Sequence, residues 1–168
     1  MEVEKTKTPL LSGQKSMLIA IDLGCQRMAG SIACEVTSQY GDVTPDIDSK
    51  SLKNCFDLIQ ALLAEGRLLA YHDRSDGGLV TTVSEMLIAS RMGLQAQTPQ
   101  DVDPVSFWFN EEIGCVIEVN LRDVDTVLLR FRAKHLTAHI LGRPNDSSEL
   151  KILQGSESLL TDTRVALE

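Results

Sequence analysis

Apolar residues fall along this chain in short clusters, with the spacing changing from one cluster to the next. Met17-Leu18-Ile19-Ala20-Ile21 is an unbroken apolar run and reads as a buried strand. Residues 31–36 fit either a second strand or a short helix, because periodicity does not separate the two at that length. Residues 41–48, with Pro45, read as a loop. Asp48 or Ser49 then caps a helix in which Leu52, Phe56, Ile59 and Leu63 recur at i, i+4, i+7 and i+11 and form one apolar face. Gly66 closes that helix as the residue just past its end.

Residues 67–72 form the next strand, and a polar turn follows at 73–78. Leu79, Val83, Met86 and Leu87 line the buried face of a second helix, which Gly93 ends. Residues 95–100 read as strand or loop, 101–104 as loop, and 113–119 as a strand. Asp123 caps a third helix through Ala133, with Val124, Leu128 and Phe131 inward. Residues 138–141 are a strand, and 150–153, Gly155 and Leu159-Leu160 make a terminal hairpin. The order β, helix, β, helix, β, helix, β, β predicts an α+β domain of α/β-like character, a layered mixed sheet with flanking helices. Residues 1–16, polar with scattered lysines, are expected to be a linker or the edge of the chain, and 17–168 one domain.

Bulk properties narrow the function classes. The chain of 168 residues has 16 Lys+Arg against 24 Asp+Glu, a net charge of −8, and no basic face for nucleic acid is expected. No apolar run is long enough to span a bilayer, and the first residues lack the apolar core of a secretory signal. Cys25, Cys34, Cys55 and Cys115 are widely spaced, and His72, His135 and His139 do not join them at zinc spacing. The expectation is four reduced, mostly buried thiols in a cytoplasmic protein.

The densest chemistry lies in Tyr71-His72-Asp73-Arg74-Ser75-Asp76-Gly77-Gly78-Leu79. A helix that starts after a polar Gly-Gly turn aims its first N–H groups into that turn, and phosphate binds well to such groups. An Asp beside a phosphate can hold Mg²⁺ through oxygen. The same residues also describe a tight turn before a capped helix, and spacing alone leaves both readings open. Arg74 fits a phosphate contact or a salt bridge to Asp76 or to the rest of a larger enzyme. His72 reads as a packed strand-end histidine. Asn110-Glu111-Glu112 fits either a channel lining or the polar start of a strand.

Three segments in order resemble the phosphoribosylformylglycinamidine synthase family. They are Ile21-Asp22-Leu23-Gly24 with Arg27-Met28-Ala29-Gly30-Ser31, the stretch from Ala70 to Leu79, and Phe109-Asn110-Glu111-Glu112-Ile113-Gly114-Cys115-Val116-Ile117. Ala29 stands where relatives often have glycine. The resemblance covers most of this chain but a small part of that family's long polypeptide. It implies a fold like the C-terminal domain of aminoimidazole-ribonucleotide synthetase. It also implies an ATP- and glutamine-dependent ligase that converts formylglycinamide ribonucleotide to its amidine in purine biosynthesis.

By that resemblance Asp73 is a Mg²⁺ ligand, and Ser75, Gly77 and Gly78 contact the nucleotide, either ATP or an ADP held at an auxiliary site. The implied partners are the remaining synthetase and glutaminase domains and formylglycinamide ribonucleotide, with no nucleic acid and no membrane. No catalytic residue is expected here, and the chain alone is expected to be inactive. A non-catalytic scaffold that keeps the fold, or another ATP-using member of the same superfamily, are the competing readings.

Overall fold

The apolar run near the start becomes the inner strand of a four-stranded sheet in a computed structural model that describes residues 6–13, 15–41 and 43–167. Part of the expected 1–16 linker, residues 1–5 and 14, lies outside the described residues. In chain order the elements are β1 (Ser16–Asp22), α1 (Ile32–Val36), α2 (Ser49–Ala64), β2 (Leu68–Asp73), α3 (Gly78–Ser90), β3 (Gly93–Thr98) and α4 (Pro104–Phe109). Then come β4 (Gly114–Asn120), a 3-10 turn at Leu121–Asp123, α5 (Val124–Ala133), β5 (Thr137–Gly142), β6 (Pro144–Asn145), β7 (Glu149–Gln154), β8 (Glu157–Thr163) and α6 (Arg164–Leu167).

The first sheet runs β2-β4-β1-β5, with every pair antiparallel. The second runs β6-β3-β7-β8, and its β3–β7 pair is parallel. The mixed α+β architecture expected from the element order is therefore present.

Successive side chains of a strand point to opposite faces, and β1 divides its apolar run between two cores accordingly. Ile19 and Ile21 pack with Leu58, Ile59 and Leu62 of α2 and Val127 and Phe131 of α5. Leu18 and Ala20 pack with Leu79, Val83, Met86 and Leu87 of α3, with Phe107 and Trp108, and with the second sheet. Both faces of the first sheet are covered, which is why β1 reads as continuously apolar. Trp108 is buried, and its indole N–H donates to Thr98 Oγ1 at 2.8 Å.

Several element ends follow the chemistry read from the sequence. Asp48 accepts from the N–H of Lys50 and of Ser51 and caps α2, and Gly66 takes a φ of +69° beyond its end. Ser31 caps α1, so residues 31–36 are helical, and Gly155 turns the terminal hairpin with a φ of +60°. Other readings are corrected. α3 stops at Arg91, which adopts the left-handed conformation itself, and Gly93 instead opens β3, where a Cβ would strike Ser147 Oγ and the Glu149 carbonyl.

Asp123 makes no side-chain cap; Asn120 caps the preceding 3-10 turn. Residues 101–104 are not only loop, since Asp103 caps α4 and Pro104 occupies its first turn. On α2, Ile59 is buried as expected, but Leu52 and Phe56 are exposed, and the inward face is Cys55, Leu58, Ile59 and Leu62. Residues before β1 lie against the domain: Leu11 is buried, and the Ser12 hydroxyl, like that of Ser16 at the start of β1, donates to the buried Glu118.

Candidate functional site

β2 delivers the polar turn. It pairs with β4 so that Asp73 lies opposite Cys115, and the ladder continues one step further as Arg74 N–H donates to the Gly114 carbonyl at 2.8 Å. Arg74 then turns inward. Its guanidinium pairs with Asp22 at 3.3 Å and donates to Asn110 Oδ1 at 2.5 Å, and all three side chains are buried. Of the partners left open for Arg74, a phosphate, Asp76 or the rest of a larger enzyme, none is the one it takes here; its salt bridge is to Asp22. Arg74 is a post that fixes the turn from beneath, and its Nε is left without a hydrogen-bond partner.

Above that post, Ser75 and Asp76 are exposed, and Gly78 N–H closes the turn on the Ser75 carbonyl at 3.0 Å. Gly77 and Gly78 take φ values of +81° and +74°. Gly78 also needs its lack of a Cβ, because one would lie 2.8 Å or less from backbone atoms of Trp108, Phe109 and Asn110 at the end of α4. These backbone demands account for both glycines structurally.

The Asn110-Glu111-Glu112 segment ties the three sequence motifs together. Glu111 Oε1 accepts the Gly77 N–H at 2.8 Å and the Ile32 N–H at 2.9 Å. Glu112 is fully buried, accepts the Cys25 N–H, and pairs with the Arg27 side chain. Gly24 lets Glu112 approach, since a Cβ there would overlap its side chain. Both acids therefore hold the loop between β1 and α1 against the turn. Ala29 is outside the left-handed region, and the positive φ values of that loop fall on Gln26 at +60° and Gly30 at +80°.

Asp73 itself is exposed at the end of β2, and the Tyr71 hydroxyl donates to its Oδ1. Residues i and i+2 of a strand share a face, so this pairing was available in the sequence without being read from it. Burial, then the neighbouring Cys115 and Asp73, push the Tyr71 hydroxyl far above its ordinary range, so it stays a phenol and a donor. Asp73, Tyr71, Leu23 and Ile113 share a cavity of about 870 Å³ with Leu52, Cys55, Phe56 and Ile59 of α2.

Ser75, Gly77 and Gly78 are not among the residues lining that cavity. His72, on the opposite face of β2, pairs with Glu85 of α3 at 2.9 Å. Among the described residues no group of three or more His, Cys, Asp or Glu side chains forms a metal cluster. A single exposed carboxylate nevertheless suits Mg²⁺, which uses one or two carboxylates and takes its other ligands from water and phosphate.

An antiparallel sheet covered on both faces, with an acidic turn at the end of β2 and a second, mixed sheet beside it, defines an α+β domain of the AIR synthase type. The family described as AIR synthase related protein, C-terminal domain, matches residues 27–153, and the chain belongs to it.

Solved structures agree on the fold. PurL of Thermotoga maritima complexed with ATP superposes with a TM-score of 0.79 at 13% identity, over 98% of this chain and 27% of that one. The same protein complexed with FGAR gives 0.77 at 11% identity, over 98% of this chain and 30% of that one. HypE of E. coli, a hydrogenase maturation protein, gives 0.64 at 16% identity, over 94% of this chain and 51% of that one. The chain spans about a quarter of the PurL chain it matches, 27%. No helix among the described residues is long and apolar enough to cross a membrane.

Proposed function

We propose that this chain is the C-terminal AIR-synthase-type domain of a phosphoribosylformylglycinamidine synthase. In this reading it contributes Asp73 as a Mg²⁺ ligand, and Ser75, Gly77 and Gly78 as nucleotide contacts, to a site completed by other domains of the same enzyme. The observation that carries the reading is the presentation of Asp73. An exposed carboxylate stands at the end of β2, braced by Tyr71, on a turn that Arg74, Asp22 and Asn110 anchor from the interior. Family membership and the likeness to PurL structures described with ATP and with FGAR support the choice of enzyme.

Mg²⁺ bound with a nucleotide would supply neutralisation of phosphate charge. The chain's own residues set the geometry. Tyr71 fixes the Asp73 carboxylate through Oδ1, which lowers the ordering cost of ligation. The buried Arg74 post keeps the turn from collapsing onto the sheet. Gly77 N–H is already held by Glu111, so a phosphate contact there requires that carboxylate to yield its bond. The reaction as a whole, its glutamine-derived ammonia and its cytoplasmic setting belong to the complete enzyme.

Calorimetric titration with Mg·ADP, comparing wild type with Asp73→Asn, tests the assignment. The full-length enzyme is expected to lose at least about tenfold in affinity, one charge-assisted contact's worth. Unchanged affinity in the full-length variant would overturn the role of Asp73. The isolated chain is expected to show no ligase turnover.

A further inference from the structure

Cys55 and Cys115 come from distant parts of the chain and meet at one wall of the cavity that Asp73 overlooks. Cys55 lies on the inward side of α2. Cys115 lies near the start of β4, in register with Ile21 of β1 and Asp73 of β2, so its side chain is on the sheet face that α2 covers. Both thiols are free and buried, and both line the cavity. They belong to the same core cluster, with Ile21, Leu58 and Ile59 around them. Buried cysteine packs as a small hydrophobe, and packing alone gives no reason for two thiols at one cavity wall. The nucleotide role proposed for Asp73 leaves the pair unused.

We infer that Cys55 and Cys115 form a redox modification site, joining in a reversible intramolecular disulfide when the protein meets a hydroperoxide and tying α2 to β4 across the cavity. The cavity opens past Leu52 and Phe56, both exposed, which gives a small oxidant a route to the sulfurs. The neighbouring Cys115 holds the Cys55 thiol below the usual thiol range, which suits it to attack first.

In the first step Cys55 Sγ, having given up its proton, attacks one peroxide oxygen. An S–O bond forms, the O–O bond breaks, and the released alkoxide or hydroxide takes that proton and departs as alcohol or water. In the second step Cys115 Sγ attacks the Cys55 sulfur. The S–S bond forms, the S–O bond breaks, and hydroxide leaves as water with the Cys115 proton. Each sulfur has then lost one electron and the peroxide has gained two. A dithiol reductant reverses the change by exchange.

The other two cysteines are placed differently. Cys25 is exposed, and Cys34 donates to the Met28 carbonyl at 3.1 Å. The test treats the folded chain and its Cys25→Ser variant with hydrogen peroxide, blocks remaining thiols, digests without reduction and maps the peptides by mass spectrometry. The expected result in both proteins is a loss of two hydrogens and a Cys55–Cys115 linked peptide that disappears with dithiothreitol. Prior treatment with phenylarsine oxide, which bridges neighbouring thiols, is expected to abolish the link. Oxygen added at Cys25 alone, both Cys55 and Cys115 left open to alkylation, or a link that forms only in urea would each overturn the inference.

Discussion

Glu111 holds Gly77: its carboxylate accepts the Gly77 N–H at 2.8 Å while the same oxygen accepts the Ile32 N–H at 2.9 Å. One acid thus joins the start of α3 to the start of α1, where a negative charge also suits the helix dipole. Glu111→Ala should cost about 1–2 kcal/mol in urea denaturation, the value of lost charge-assisted bonds at a partly exposed position. Amide exchange should speed up at Gly77 and Ile32 together. Exchange unchanged at both would show that the carboxylate does not hold them.

Arg74 and Asp22 form a buried pair, and removing one partner strands the other. Arg74→Met should destabilise the domain by about 3 kcal/mol, because the Asp22 carboxylate stays interior without its cation. Adding Asp22→Asn should recover part of that loss. A double variant no better than the single one would mean that packing of the Arg74 stem, not the charge, is what matters.

Two glycines with similar backbone angles should respond differently to alanine. Gly78 has a φ of +74° and faces backbone atoms within 2.8 Å, whereas Gly30 has a φ of +80° and open space around it. Gly78→Ala should cost about 3 kcal/mol or more, combining strain and collision, while Gly30→Ala should cost about 1 kcal/mol from strain alone. Thermal unfolding of the two variants side by side distinguishes them, and equal losses would refute the packing argument.

His139 gives stability a pH dependence. It stacks edge-on against Phe107 with ring centroids 5.3 Å apart, and burial holds its pKa below the ordinary 6.5, Asp22 opposing and Arg74 adding to the shift. Below pH 6.5 the unfolded chain therefore binds a proton that the folded chain resists. The contribution of His139 is complete above that pH and is lost as pH falls through the lower folded-state value. His139→Gln should flatten the acid side of a stability–pH profile measured by denaturant titration. A profile with undiminished slope would assign the loss to other groups.

Much of this fold was legible because local chemistry dictates it. Asp48 before an apolar repeat, Gly66 after it, and the spacing of Leu79, Val83, Met86 and Leu87 each need only near neighbours to be understood. What escaped depends on distant ones. α2 carries apolar side chains over a stripe wide enough for two facings, and only the position of the sheet selects Cys55, Leu58 and Leu62 over Leu52 and Phe56. The Asp103-Pro104 start of α4 was a readable signal passed over, because the helix is a short six residues.

At the site, the polar turn and its acids were visible as a cluster of residue types. The division of labour among them was not. Arg74 chose Asp22 over Asp76, and Glu112 took Arg27, because partners across a folded sheet are set by register and not by sequence separation. Tyr71 and Asp73 share one face of β2, a relation the two-residue period does contain.

β1 lies between β4 and β5, both made long after it, and the parallel partner of β3 is the later strand β7. During synthesis β1 emerges early with both of its edges bare and must wait for strands made roughly a hundred residues later. An apolar strand kept waiting with open edges is the segment most exposed to wrong pairing and to capture by a chaperone.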